Sequence, residues 1–175
     1  NVLAATALAR SYGVAVTDVV AGLGAFRLDD HRGELVAVVG GVRFVNNSKA
    51  TNVHAADVAL SAEGHVVWIA GGLAKGGQFD DLVARHRERL RAVVLMGEDR
   101  GLIADAVRRH ASEVPVFEVP DGETDPMDHV VRAAVAGAEP PDTVRLAPAC
   151  ASMDQFTDYR ARGRAFSQAV ARLRS

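Results

Sequence analysis

Cysteine is all but missing from this chain. The single Cys150 leaves no internal disulfide and no cysteine-based metal cluster, the usage expected in a reducing compartment. A strong charge of either sign is missing too, and a net charge of −2 gives no electrostatic case for nucleic acid or a membrane surface. No run approaches the roughly 20 apolar residues of a membrane span, and the first residues lack a signal-peptide layout, so the expectation is a cytoplasmic chain with no membrane insertion. Lysine is scarce in a different way: of 20 basic side chains only Lys49 and Lys75 are lysine, and the rest are arginine. Both stand in polar, turn-like stretches directly after a predicted strand. A compact ammonium kept among so many arginines suits a site that points one charge at a carboxylate or phosphate oxygen.

What is present suits a globular protein. With 175 residues, 49% hydrophobic and 24% charged, the chain is long enough for one domain with a core and a small appendage. Residues 2–12 read as a helix ended by Gly13. A second helix opens at Val16-Thr17-Asp18 and is expected to stop at Gly22 and Gly24. This pair is too small to bury both its faces, and residues 25–32 have a linker's mixed character, so a boundary falls there. From Glu34 the rhythm changes. Residues 34–39 and 42–45 flank Gly40-Gly41 as a hairpin, and apolar runs at 65–70, 92–96, 114–119 and 143–146 alternate with helical patterns at 79–90, 101–110, 128–136 and 154–173. Near-continuous β-branched runs separated by helices predict a doubly wound α/β domain: a mainly parallel sheet covered on both faces, with an N-terminal hairpin.

In such a domain ligands bind outside the carboxyl ends of the strands. Those ends carry Asn46 to Asn52, Gly71 to Gly77, Gly97 to Arg100 and Ala147 to Phe156, so Lys49, Lys75, Ser48, Thr51 and Ser152 are expected on one rim. Thr51 or Asn52 can cap the helix that follows, and Ser152 reads as the cap of the last helix. The chemistry is that of holding anions and carboxylates, with no nucleophile beside a base. Plainer roles are also legible. Gly71-Gly72 can serve a sharp turn, Cys150 between two alanines a packed position, and Arg85, Arg87, Arg89 and Arg91 a solvated face. Five of the histidines, at 54, 65, 86, 110 and 129, lack ligand spacing.

Three motifs together resemble the Mur ligases: Asn47-Ser48-Lys49-Ala50-Thr51-Asn52, Gly71-Gly72-x-x-Lys75-Gly76, and Pro148-Ala149-Cys150-Ala151-Ser152-Met153-Asp154-Gln155-Phe156 followed by Arg162-Gly163-x-x-Phe166. They occur in the family's order across nearly the whole chain, and the first and third are most similar to those of the D-glutamate-adding members. The resemblance implies a Rossmann-like C-terminal domain at 31–175, preceded at 1–30 by the last helices of a central ATPase domain. It implies an ATP-dependent ligase, likewise needing Mg2+, that phosphorylates the carboxylate of UDP-MurNAc-L-alanine for attack by the D-glutamate amine in peptidoglycan synthesis. By the same likeness Lys75, Thr51 and Ser152 hold the D-glutamate carboxylates, Met153 and Tyr159 supply backbone groups, and Lys49 sits beside them. Asn1, Arg32 and Asn47 face the nucleotide, and the enzyme is expected to be a monomer. Asn47 stands where the family usually has Asp, Gly33 where an apolar residue is common, and Ala147 where Ser is frequent. No G-x-x-x-x-G-K-[ST] phosphate loop is present, so the chain is expected to be part of a longer ligase and inactive alone. A folylpolyglutamate-type ligase domain, another Mur ligase, or a carboxylate-binding module without chemistry are the alternatives.

Overall fold

The structure, a computed structural model, describes residues 2–26, 29–62, 64–120, 122 and 125–173. It divides into two compact units, Asn1–Asp30 and His31–Ser175. In the first, α1 (Val2–Ser11) and α2 (Val16–Ala25) are joined through Gly13, and neither helix buries a residue. The expected stop at Gly22 and Gly24 does not occur. Neither glycine takes a left-handed conformation, and α2 ends only where Phe26 turns extended. Glycine inside a helix costs about 1 kcal/mol, which lowers helicity without ending it.

The second unit contains β1 (Glu34–Val39), β2 (Val42–Asn46), α3 (Val53–Leu60), β3 (Val66–Gly71), α4 (Asp80–His86), β4 (Leu90–Met96), α5 (Arg100–His110), β5 (Val116–Glu118), α6 (Pro126–Ala136), β6 (Thr143–Leu146) and α7 (Tyr159–Arg172). β1 and β2 form the hairpin, with positive φ at both Gly40 and Gly41 as a tight primed turn requires. All other pairings are parallel, and the sheet order is β1-β2-β6-β3-β4-β5. After stepping outward from β3 to β5, the chain therefore returns to lay β6 between β2 and β3.

Alternation along β3 supplies both faces of the core. Val66, Trp68 and Ala70 pack with α3, α4 and α5, whereas Val67 and Ile69 pack with α6 and α7. Each fully buried valine or isoleucine among them contributes on the order of 1.5–3 kcal/mol. Trp68 is wholly enclosed, and its indole N–H donates to the Ala147 carbonyl at 2.8 Å, tying the core to the loop after β6.

Two helices are shorter than their sequence patterns suggest. α4 ends at His86 rather than running to residue 90, because Leu90 is already strand, paired with Val66. α7 starts at Tyr159 rather than near residue 154: Asp158 is extended and its carboxylate accepts from the Ala161 N–H at 2.6 Å, which makes it the N-cap. Among the described residues no helix is long and apolar enough to cross a membrane.

Candidate functional site

The loops leaving β2, β6, β3 and β4 are stitched into one rim by their own backbones. Asn47 N–H donates to Leu146 O at 2.8 Å and Ala149 N–H to Ala50 O at 2.9 Å, joining the loops after β2 and β6. Leu73 and Ala151 exchange hydrogen bonds at 3.0 and 2.9 Å, an antiparallel bridge that joins the loops after β3 and β6. The β4 loop is held by two carboxylates. Asp99 Oδ2 accepts from Ala74 N–H at 2.8 Å, and Asp154 Oδ2 from Glu98 N–H at 2.9 Å.

This framework places the sequence-predicted residues as follows. Lys75 is exposed, in a left-handed turn with φ of +48° just after the Leu73–Ala151 bridge. Ser152 follows the same bridge from the other strand and is 4% exposed. Thr51 is half-buried, and because Asn52 is the residue that caps α3, accepting from Ala55 N–H at 2.9 Å, the Thr51 hydroxyl is not spent on the helix. No side-chain hydrogen bond or ion pair engages Lys75, Thr51 or Ser152 among the described residues. Lys49 is half-buried, with Nζ 5.8 Å from the centre of the Tyr159 ring, and Arg160 lies 4.9 Å from the same ring. Met153 is exposed on the turn after Ser152.

The expected cap at Ser152 is not found. Residues 152–158 form turns instead, in which the Ser152 carbonyl accepts from Gln155 and Phe156 N–H at 3.2 and 2.8 Å. The first-turn N–H groups that helical geometry leaves unpaired are thus those near Tyr159. Ser48 also leaves the rim. It is completely buried, its hydroxyl donates to Tyr159 O at 2.7 Å and accepts from Arg162 Nε at 3.1 Å, and a spent hydroxyl holds no ligand.

Arg32 is exposed beside the buried His31, and Asn47 is half-buried with Oδ1 accepting from Arg145 Nη1. Asn1 lies outside the described residues. Among those described, no group of three or more histidine, cysteine or acidic side chains could hold a metal. Cys150 is fully enclosed, and burial pushes its thiol up to about 12, so it is a packed residue and not a nucleophile.

Beneath the rim lies a polar layer that periodicity does not reveal. Asn46 is 0% exposed; its amide donates to Gly163 O at 3.0 Å and Ser167 Oγ at 3.2 Å and stands 2.9 Å from His31 Nδ1, while its Oδ1 accepts from Ser48 N–H at 3.1 Å. Arg162, also 0% exposed, completes the layer from α7. The arginine-rich composition hides it. The one legible signal is Arg162-Gly163: the glycine is needed where the His31 ring would stand 2.5 Å from a Cβ, and the arginine precedes it.

Comparison with known proteins bears on the same residues. The sequence model of the family described as Mur ligase, glutamate ligase domain, matches residues 31–150. A UDP-N-acetylmuramoylalanine--D-glutamate ligase of Streptomyces avermitilis is 55% identical over 170 residues, 97% of this chain and 36% of that protein. The ligase of the same name from Leifsonia xyli is 56% identical over 171 residues, 97% of this chain and 33% of that protein. That from Mycolicibacterium smegmatis is 43% identical over 200 residues, 97% and 41%. The chain spans about a third to two fifths of the length of these relatives. A crystal structure of MurF from Acinetobacter baumannii matches 95% of this chain and 37% of its own with a TM-score of 0.59 at 16% identity, a likeness of fold.

Proposed function

From a chain that belongs to the Mur ligase family through its glutamate ligase domain, we propose the D-glutamate-binding portion of an ATP-dependent amide ligase of peptidoglycan synthesis. The reaction joins D-glutamate to UDP-MurNAc-L-alanine after ATP has activated the acceptor carboxylate. In this reading residues 31–175 are the C-terminal domain and residues 1–30 the last helices of a central ATPase domain, whose partner surfaces cover the apolar side chains of α1 and α2. The enzyme works as a cytoplasmic monomer.

The observation that carries the proposal is the Leu73–Ala151 bridge, which brings an ammonium and a hydroxyl to one rim with neither engaged by the protein. A dicarboxylate requires such donors. Lys75 Nζ, Ser152 Oγ and Thr51 Oγ bind its oxygens, Lys49 adds charge beside them, and N–H groups near Met153 and Tyr159 orient the remainder. Arg32 and Asn47, with Asn1, face the nucleotide. Binding of Mg2+ is assigned in this reading to other parts of the enzyme.

Calorimetry with D-glutamate tests the reading, on this chain and on the full-length ligase. Charge-assisted hydrogen bonds are worth about 1.5–3 kcal/mol each, so Lys75→Ala is expected to weaken binding by about tenfold or more. Equal binding by the variant would remove Lys75 from the site, and no binding to either protein would remove the proposal.

A further inference from the structure

We propose that Arg162 is the positioning residue of the carboxylate rim: one guanidinium that sets the spacing between the loop after β2 and the loop after β6. The inference rests on the functional reading above and goes beyond it, since Arg162 is buried under the rim and not on it.

Arg162 extends inward from the first turn of α7. Its Nε donates to Ser48 Oγ and its Nη2 to both Ser48 O and Cys150 O, each at 3.1 Å. Ser48 precedes Lys49, and Cys150 lies two residues before Ser152. One rigid fork therefore spans the two loops that carry the binding groups, and through Ser48 Oγ it also fixes the Tyr159 carbonyl at 2.7 Å. A lysine carries its donors on a single nitrogen at the end of a flexible stem and lacks the planar fork whose separate nitrogens, Nε and Nη2, reach the hydroxyl and the two carbonyls here.

The electrostatics argue against simple glue. Arg162 is 0% exposed, makes no ion pair among the described residues, and leaves Nη1 without a hydrogen-bond partner. Burial lowers its pKa to about 10, with Cys150 and Asp154 acting to raise it, and the group remains a cation at neutral pH. A buried charge without a paired carboxylate is a poor stabiliser, and an apolar side chain would fill the space at lower desolvation cost. Its positive field, delivered through a low-dielectric layer to the loops above, complements the carboxylates of a dicarboxylate ligand.

The test is steady-state kinetics of the full-length ligase with Arg162→Lys and Arg162→Met, alongside thermal unfolding of each variant. Positioning predicts a rise in KM for D-glutamate on the order of tenfold, larger for Met than for Lys, with KM for ATP within about twofold. A merely structural role lowers the melting midpoint and the active fraction but leaves KM for D-glutamate within twofold, and that result overturns the proposal. Should both variants fail to fold, Ser48→Ala decides: it removes one acceptor of the fork and is expected to raise the same KM about threefold, and an unchanged KM overturns the assignment. A wild-type ligase that does not join D-glutamate would instead overturn the functional reading itself.

Discussion

At the residue scale the floor of the rim has no room for a methyl group. A Cβ on Gly97 would lie 2.4 Å from Asp154 Oδ2 and 2.6 Å from the Gly72 Cα, and Gly97 holds φ of +81°. Gly97→Ala is therefore expected to lose at least ~3 kcal/mol, from left-handed strain together with a clash against backbone. For a chain of this size that is a fall of about 6–12 °C in the melting midpoint. Gly101→Ala is the contrast: it meets nothing within 4 Å, lies within α5, and should be neutral or stabilising by about 0.5–1 kcal/mol. Thermal unfolding by circular dichroism separates the two, and equal midpoints would show that the floor can relax. A sharp turn accounts for Gly71-Gly72 in the sequence, and nothing there shows that Gly72 is also a crossing point for residue 97. Close approaches between distant residues leave no periodic trace. The same holds for Ser48, whose hydroxyl reads as a rim group until the carbonyl and guanidinium that consume it are in view.

At the scale of elements, most strands are legible as near-continuous apolar runs and most helices by their recurring apolar residues, while their ends are not. α7 begins late because Asp158 competes as a cap, and α4 ends early because Leu90 gains more from strand pairing than from a further helical turn. Two of the five histidines that lack ligand spacing, His86 and His110, tie helix to helix. An Arg-His pair at the end of α4, Arg85 and His86, grips Asp57 of α3 at 2.6 and 2.7 Å, and Arg109 and His110 of α5 grip Asp80 of α4 at 2.7 and 2.8 Å. The hydrogen bond from His86, helped by Arg85, holds the Asp57 carboxyl below its ordinary range despite the opposing effect of burial. A carboxylate with a folded pKa below its unfolded value stabilises above the unfolded value, about 4, and loses that contribution as pH falls through the folded one. Asp57→Asn should thus lower stability by about 1 kcal/mol at neutral pH, and the difference between variant and wild type should close as pH drops below the usual carboxylate range. Melting midpoints of both proteins across that range check this, and a gap that persists at the lowest pH would assign the loss to packing instead of charge.

At the scale of the whole molecule, sheet order turns a list of strand ends into a site. Sequence alone gave β6 last place in the chain, and nothing in its four residues says that it returns to the middle of the sheet. Because it does, the loops with Lys49 and Thr51, with Ser152, and with Lys75 leave three adjacent parallel strands, β2, β6 and β3. The convergence comes from topology, and the residue types come from the motifs. The division of labour proposed above carries a prediction about the chain by itself. Phosphoryl transfer from ATP requires a cradle for the phosphates and a cation to neutralise them. This sequence has no G-x-x-x-x-G-K-[ST] loop, and its described residues include no cluster able to hold a metal. Among the described residues the rim carries the Lys75 ammonium and the Ser152 and Thr51 hydroxyls with no side-chain partner in the protein. The purified 175-residue chain is accordingly expected to release no phosphate from ATP above a protein-free blank, with or without D-glutamate and Mg2+. The full-length ligase should release it only when both acceptor and D-glutamate are present. Phosphate release by the isolated chain, lost on Lys75→Ala, would move the catalytic machinery into this domain and overturn the division of labour proposed for it.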